Sequence, residues 1–224
     1  MEQGPMVRAF GEERSWGTGA ARPWEGRRGP RPGGGDRRDA DAFPDEEPRR
    51  RQLAQLAADL GAGLVPRGEV ARVILRLGRE GYVMAWARVE PFLEDADPAV
   101  RRAALQVLVS DWKMDQYRER AEELCDRDPD PDVRRFASTC LGILYQSTGD
   151  RRTLRRLAEI CRREAESPRI RGAAYVSILR VVGRRGRDIP FIGNADDLAA
   201  RVDWRLVDAC AAERWDELPN EKPA

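Results

Sequence analysis

The side chains that could carry chemistry are four cysteines, a few carboxylates and a tryptophan at one turn, and two helical stretches of opposite charge. Cys125, Cys140, Cys161 and Cys210 are 15, 21 and 49 residues apart, with no C-x-x-C pair. Cys140 and Cys161 fall on apolar stripes, where a thiol behaves as a small hydrophobe. Four reduced core thiols are therefore expected, with no disulfide and no metal site. The chain has no histidine. That removes Ser-His-Asp and Cys-His nucleophilic catalysis, histidine-ligated zinc and the commonest proton shuttle near neutral pH. No G-x-x-x-x-G-K-[ST] loop is present, and the glycines at 33–35 follow no strand pattern, so nothing marks a phosphate cradle. The expectation is no catalytic residue, no cofactor and no metal.

The charged stretches point to recognition instead. Asp115 to Arg127 carries five acids (Asp115, Glu119, Glu122, Glu123, Asp126) against three arginines. Asp150 to Glu164 carries six arginines (Arg151, Arg152, Arg155, Arg156, Arg162, Arg163) against three acids. If the two helices are neighbours, their charges either bridge one another or leave surplus arginines free to hold an acidic partner. The partner-binding residues expected on this reading are those six arginines with Glu119, Glu122 and Glu123. Over the whole chain, 40 basic and 39 acidic residues give a net charge of +1. No bulk field draws it to nucleic acid or to anionic lipid, and the expected partner is another protein.

What must position these side chains is a phrase written three times. It reads Asp97-Pro98-Ala99-Val100-Arg101, then Asp130-Pro131-Asp132-Val133-Arg134, then Ser167-Pro168-Arg169-Ile170-Arg171, with the prolines 33 and 37 residues apart. Asp or Ser can accept from the orphan amides of a first helical turn, and proline at the next position loses no helical bond. Apolar residues then recur at Val100, Ala103, Ala104 and Val107, at Val133, Phe136, Ala137 and Cys140, and at Ile170, Ala173, Ala174 and Ile178. That is the stripe of a helix buried on one face. Small residues (Ala104, Ala137, Ala174) leave room for a neighbouring helix, and an arginine (Arg101, Arg134, Arg171) follows each opener in register. A repeat of this length is that of a stack of helical hairpins.

These motifs resemble HEAT repeats, over about Phe92 to Val182. The resemblance implies an all-α fold: an α-solenoid of three to four HEAT-like hairpins in which second helices lie side by side on a concave face. It implies a non-catalytic scaffold or adaptor that recognises a partner on that face. Small stand-alone HEAT proteins that resemble immunity- or inhibitor-type binders of a toxin or enzyme give the alternative reading. HEAT-like DNA-alkylation-repair glycosylases give a third, resting on Asp111, Trp112 and Asp115 near the arginine helix, and the near-neutral charge and short length argue against it. The HEAT-repeat hydroxylases build a di-iron site from His-Glu pairs, which a chain without histidine cannot supply.

Residues 1–46 hold glycines, prolines and interleaved charges without a hydrophobic period, so a disordered arm, or a start set too far upstream, is expected there. The solenoid is expected over 47–224. It opens with a stripe at Leu53, Leu56, Ala57 and Leu60 and a degenerate repeat around Val70, Val73, Ile74 and Leu77 closed by Gly78 and Gly81. Pro91 is expected to kink the next helix or split it, and Met84, Trp86, Val89, Phe92 and Leu93 of that stretch read as core. Helices capped by Asn194 and Asp203 are expected to close the far end. No run approaches the ~18 apolar residues that mark a membrane span, and a cytoplasmic protein is expected.

Overall fold

The computed structural model describes residues 46–218, and the arm expected over 1–46 lies outside the described residues except for Glu46. Ten α-helices follow one another: α1 (Glu46–Gly61), α2 (Val70–Arg79), α3 (Trp86–Val89), α4 (Pro98–Leu105), α5 (Arg118–Arg127), α6 (Pro131–Leu144), α7 (Arg151–Arg162), α8 (Pro168–Val181), α9 (Ala195–Arg201) and α10 (Trp204–Ala211). No strand occurs among the described residues. The helix starts follow the expected chemistry. Asp97 accepts from the Ala99 amide, Asp130 from Asp132 and Val133, and Ser167 from Ile170, each with proline in the first turn. Asp150, Asn194 and Asp203 cap α7, α9 and α10 in the same way.

The helices form two layers. In one, α2, α4, α6 and α8 pack in sequence; in the other, α3, α5, α7 and α10 follow. In chain order α4 is followed by α5 and α6 by α7, and the layers meet where α5 packs on α6 and α7 on α8; α3 lies against α1, α9 against α8 and α10 on α7. The openers Val100, Val133 and Ile170 are 1%, 1% and 2% exposed, and the small residues Ala104, Ala137 and Ala174 are fully buried. Pro91 does divide its helix: α3 ends at Val89 and a 3-10 turn runs over Glu90–Glu94.

Some local features differ from the pattern. Gly78 does not end α2; it lies inside that helix, where a Cβ would come within 2.5 Å of Val107. Gly81, at φ +64, makes the turn. The stripe that begins α4 continues as a π-helical segment over Gln106–Asp111. It brings Val107, Leu108 and Val109 together into the core, which a regular helix turns to different sides. Met84 and Trp86, expected in the core, are outward, with Met84 77% exposed, whereas Ala85, Val89 and Leu93 are buried and Phe92 packs half-buried against the core.

The cysteines are core residues. All four are free and buried. Burial pushes the Cys140 and Cys210 thiols up to about 12 and the Cys161 thiol to about 11, and it raises Cys125 further. Thiolate is the reactive form. At pH 8 a thiol-specific disulfide reagent is therefore expected to label none of them in the native chain within minutes, and all four in denaturant. One fast-reacting native thiol would contradict this packing.

Candidate partner-binding face

The second-helix layer brings the two charged helices together. Arg152 reaches Glu122 at 2.7 Å and Glu119 at 3.9 Å, and Arg118 on α5 bonds both Glu122, at 3.2 Å, and Asp150 at the start of α7. Arg156 and Arg163 converge on Asp126 at 2.9 and 3.1 Å. The remaining arginines of this set turn to the closing segment. Arg155 meets Glu213 at 2.6 Å, Arg162 pairs with Asp208, and Arg151 lies 5.5 Å over the Trp215 ring. The expectation that surplus arginines stay free is thereby corrected. Counting charge along two helices omitted Asp208, Glu213 and Trp215, which the fold returns from about 50 residues downstream. Asp150 shows how firmly this joint is set. Burial raises its carboxyl, yet hydrogen bonds from the Thr153 amide and hydroxyl and from Arg118 hold it below the ordinary value.

The acids divide differently. Glu122 is buried and committed to Arg118 and Arg152, so its role is structural. Glu119 and Glu123 remain largely exposed, with side chains 81% and 58% accessible. They join two acids that sequence reasoning missed. Glu90 and Glu94, from the 3-10 turn after α3, line with Glu119 and Glu123 a groove of about 500 Å³ against α5. Arg120 is the one basic side chain in that lining, bridging Glu94 at 2.6 Å and Glu123 at 2.7 Å. Tyr117 also lines the groove and is 5% exposed; burial raises its hydroxyl above the ordinary value. The available signal was the acidic pair Glu90 and Glu94 falling one unit before Glu119 and Glu123.

Asp111, Trp112 and Asp115, the residues behind the glycosylase reading, sit at the α4–α5 turn. Asp115 accepts from the Tyr145 hydroxyl, and the Arg118 guanidinium stacks 4.4 Å from that ring. Burial raises the Asp111 carboxyl. This cluster ties one hairpin end to the next. Among the described residues, no three of His, Cys, Asp and Glu are grouped as a metal would require.

The arginines in register explain the stacking. Arg101 and Arg134 each donate backward to the carbonyls of the link before their own helix and forward to an acid in the next link. Arg101 donates to the Asp95 and Ala96 carbonyls at 2.7 and 3.1 Å and grips Asp128 at 2.7 and 2.8 Å. Arg134 donates to the Asp128 carbonyl at 2.8 Å and grips Glu166 at 2.9 and 3.0 Å. Arg67 grips Asp95 in the same sense before the first full unit, and its hydrogen bonds hold that carboxyl below the ordinary range. Where no further hairpin follows, Arg171 takes the Cys161 carbonyl at 2.8 Å and lies 5.6 Å from the Trp204 ring. Residues 87–178 match the family model for HEAT repeats.

That stretch is an array of HEAT repeats. HEAT repeats are in general protein-interaction scaffolds, since stacked hairpins present long continuous surfaces. No curated protein and no solved structure matches the chain. Among the described residues no helix is long and apolar enough to cross a membrane. In this HEAT array the second-helix face is consumed by ion pairs at its arginine end and retains uncompensated charge at its acidic end.

Proposed function

We propose that the chain is a non-catalytic adaptor that holds a partner protein on its second-helix face, with the acidic groove between the Glu90–Glu94 turn and α5 as the point of recognition. The observation that carries this reading is the imbalance in that groove: four glutamates around one arginine, against a neighbouring arginine helix already paired within the chain. A partner segment bearing arginine or lysine would relieve it. Such contacts set specificity and association rate more than affinity.

The test is cross-linking of the full chain in extract of its own cells, followed by mass spectrometry, in parallel with a variant carrying Glu90→Lys, Glu119→Lys and Glu123→Lys. A protein joined to the wild type and lost from the variant is expected, and its association should weaken as salt is raised. The same set of proteins joined to both would move the recognition site off this groove. Turnover of a substrate by purified chain would overturn the non-catalytic reading.

A further inference from the structure

The layer of first helices carries a second groove, of opposite character, that the adaptor reading does not use. It lies over α6 and α8, is walled by the segment 189–193, and has a volume of about 610 Å³. On α8 the residues that line it are Arg169, Ala173, Val176 and Arg180. Their spacing of four, three and four puts them in one stripe, so two small apolar side chains lie between two guanidinium groups. Neither Arg169 nor Arg180 has a side-chain partner among the described residues. Across the groove Arg135 on α6 is tied to Asp132 at 3.3 Å. The lining thus holds three arginines against one acid.

The wall is built to display an aromatic ring. Ile192 is buried against Gly172, where a Cβ would come within 2.6 Å of its side chain. The Gly193 amide donates to Asp197 at 3.1 Å, and Arg201 donates to the Phe191 carbonyl at 3.2 Å. The segment is therefore anchored at the Phe191 carbonyl and at the two residues after it, yet Phe191 itself is 78% exposed. An apolar surface held out by a fixed backbone beside unpaired charge has the character of an interaction site.

We propose that this groove is a docking site for an extended acidic segment of a partner protein. Eleven residues of helix place Arg169 and Arg180 about 16 Å apart. An extended chain covers that distance in about five residues. The occupant so defined has two carboxylates about five positions apart, each able to meet a guanidinium fork, and an apolar side chain between them that covers Ala173 and Val176 beside Phe191. Nucleic acid fits less well. The floor between the arginines is aliphatic, and a chain of net charge +1 supplies little of the sequence-independent attraction that phosphate backbones require. The groove lies on the other helix layer from the acidic one and carries the opposite charge, so failure of one reading leaves the other standing.

The test is selection of a random twelve-residue peptide display library on the full chain, with counter-selection on Arg169→Glu/Arg180→Glu. Arg169 is exposed and Arg180 half-buried at the groove, so the melting temperature of each variant is measured beside the wild type and an unchanged value is expected. The expected result is enrichment of peptides with paired acids flanking an apolar residue. Their binding should fall at least tenfold with the double reversal, fall with Phe191→Ala, and fall in high salt. A twenty-nucleotide single-stranded RNA serves as the competing probe. Peptides without acids, no enrichment over the double variant, or RNA binding abolished by the same substitutions would each overturn the proposal.

Discussion

Replacing Gly142 with alanine is expected to lower the melting temperature by about 4–8 °C, equivalent to roughly 2 kcal/mol in a domain of this size. A Cβ at this position would come within 2.6 Å of the Ser177 Cβ and Oγ and 2.8 Å of the Ser177 Cα. Two of those atoms are fixed by the α8 backbone, so no rotamer change relieves the clash and α6 must move off α8. Helix propensity opposes this, because alanine exceeds glycine by about 1 kcal/mol in a helix interior. The steric term is expected to exceed it. Overpacking costs about 1–3 kcal/mol, and α6 with α8 is the most extensive helix pair of the stack. The companion variant isolates the cause. Ser177→Gly removes the Cβ that Gly142→Ala would strike, and the Ser177 hydroxyl has no hydrogen-bond partner among the described residues to lose. In a double-mutant cycle, Ser177→Gly should recover part of the loss, while Ser177→Ala, which keeps the Cβ, should not. An unchanged melting temperature for Gly142→Ala would mean that the two helices do not approach as closely as described. Gly78 is a second such place: an added Cβ would come within 2.5 Å of Val107, which is fully buried and stiff at χ1, so Gly78→Ala is also expected to lower the melting temperature.

The caps, the prolines and the buried stripe were legible because they are local. A side-chain oxygen next to proline selects a helix start whatever the rest of the chain does, and Asp97, Asp130 and Ser167 cap as their types require. The register of Arg101, Arg134 and Arg171 was visible, but their purpose was not. Each partner lies in another link, about thirty residues on or in the closing segment. A signal for the partner of Arg101, and for that of Arg67, was present in the twin phrases Asp95-Ala96-Asp97-Pro98 and Asp128-Pro129-Asp130-Pro131. In each the second acid caps the helix, and the first receives both an arginine and the backbone amide of the second. Gly142 and Gly172 could have been read as close approaches, being glycines within a helical pattern rather than past its end. The arginine helix misled for the converse reason: its charge surplus was computed over α5 and α7, and the closing segment that neutralises much of it has no repeat pattern to announce where it packs. The groove that displays Phe191 was not legible at all, because the ring's exposure follows from how Ile192 is seated on Gly172.

The stacking role of the register arginines leads to the largest expected effect of a single truncation in the links, that of Asp128→Ala. Arg101 and Asp128 are 8% and 5% exposed. Asp128 accepts from two guanidinium nitrogens and from the Asp130 amide, and the third guanidinium nitrogen is taken by the Asp95 and Ala96 carbonyls. Removing the carboxylate leaves a buried cation with only those carbonyls, which typically costs about 3–5 kcal/mol. Glu166→Ala should cost less, because the Arg134 side chain is 20% accessible and water can replace part of what it loses. Replacing both members of the pair, as Arg101→Met with Asp128→Leu, removes the stranded charge along with its partner and is expected to restore most of the stability lost. Denaturant titration of the four proteins reads these differences directly. The Asp128→Ala deficit should persist in 0.5 M salt, since a buried pair is little screened, whereas exposed pairs such as Arg155 with Glu213 should weaken. If the double replacement is as unstable as Asp128→Ala alone, the pair's charge is not what matters. The loss would then lie in the Asp130 amide that Asp128 holds, and so in the backbone turn that sets one hairpin on the next.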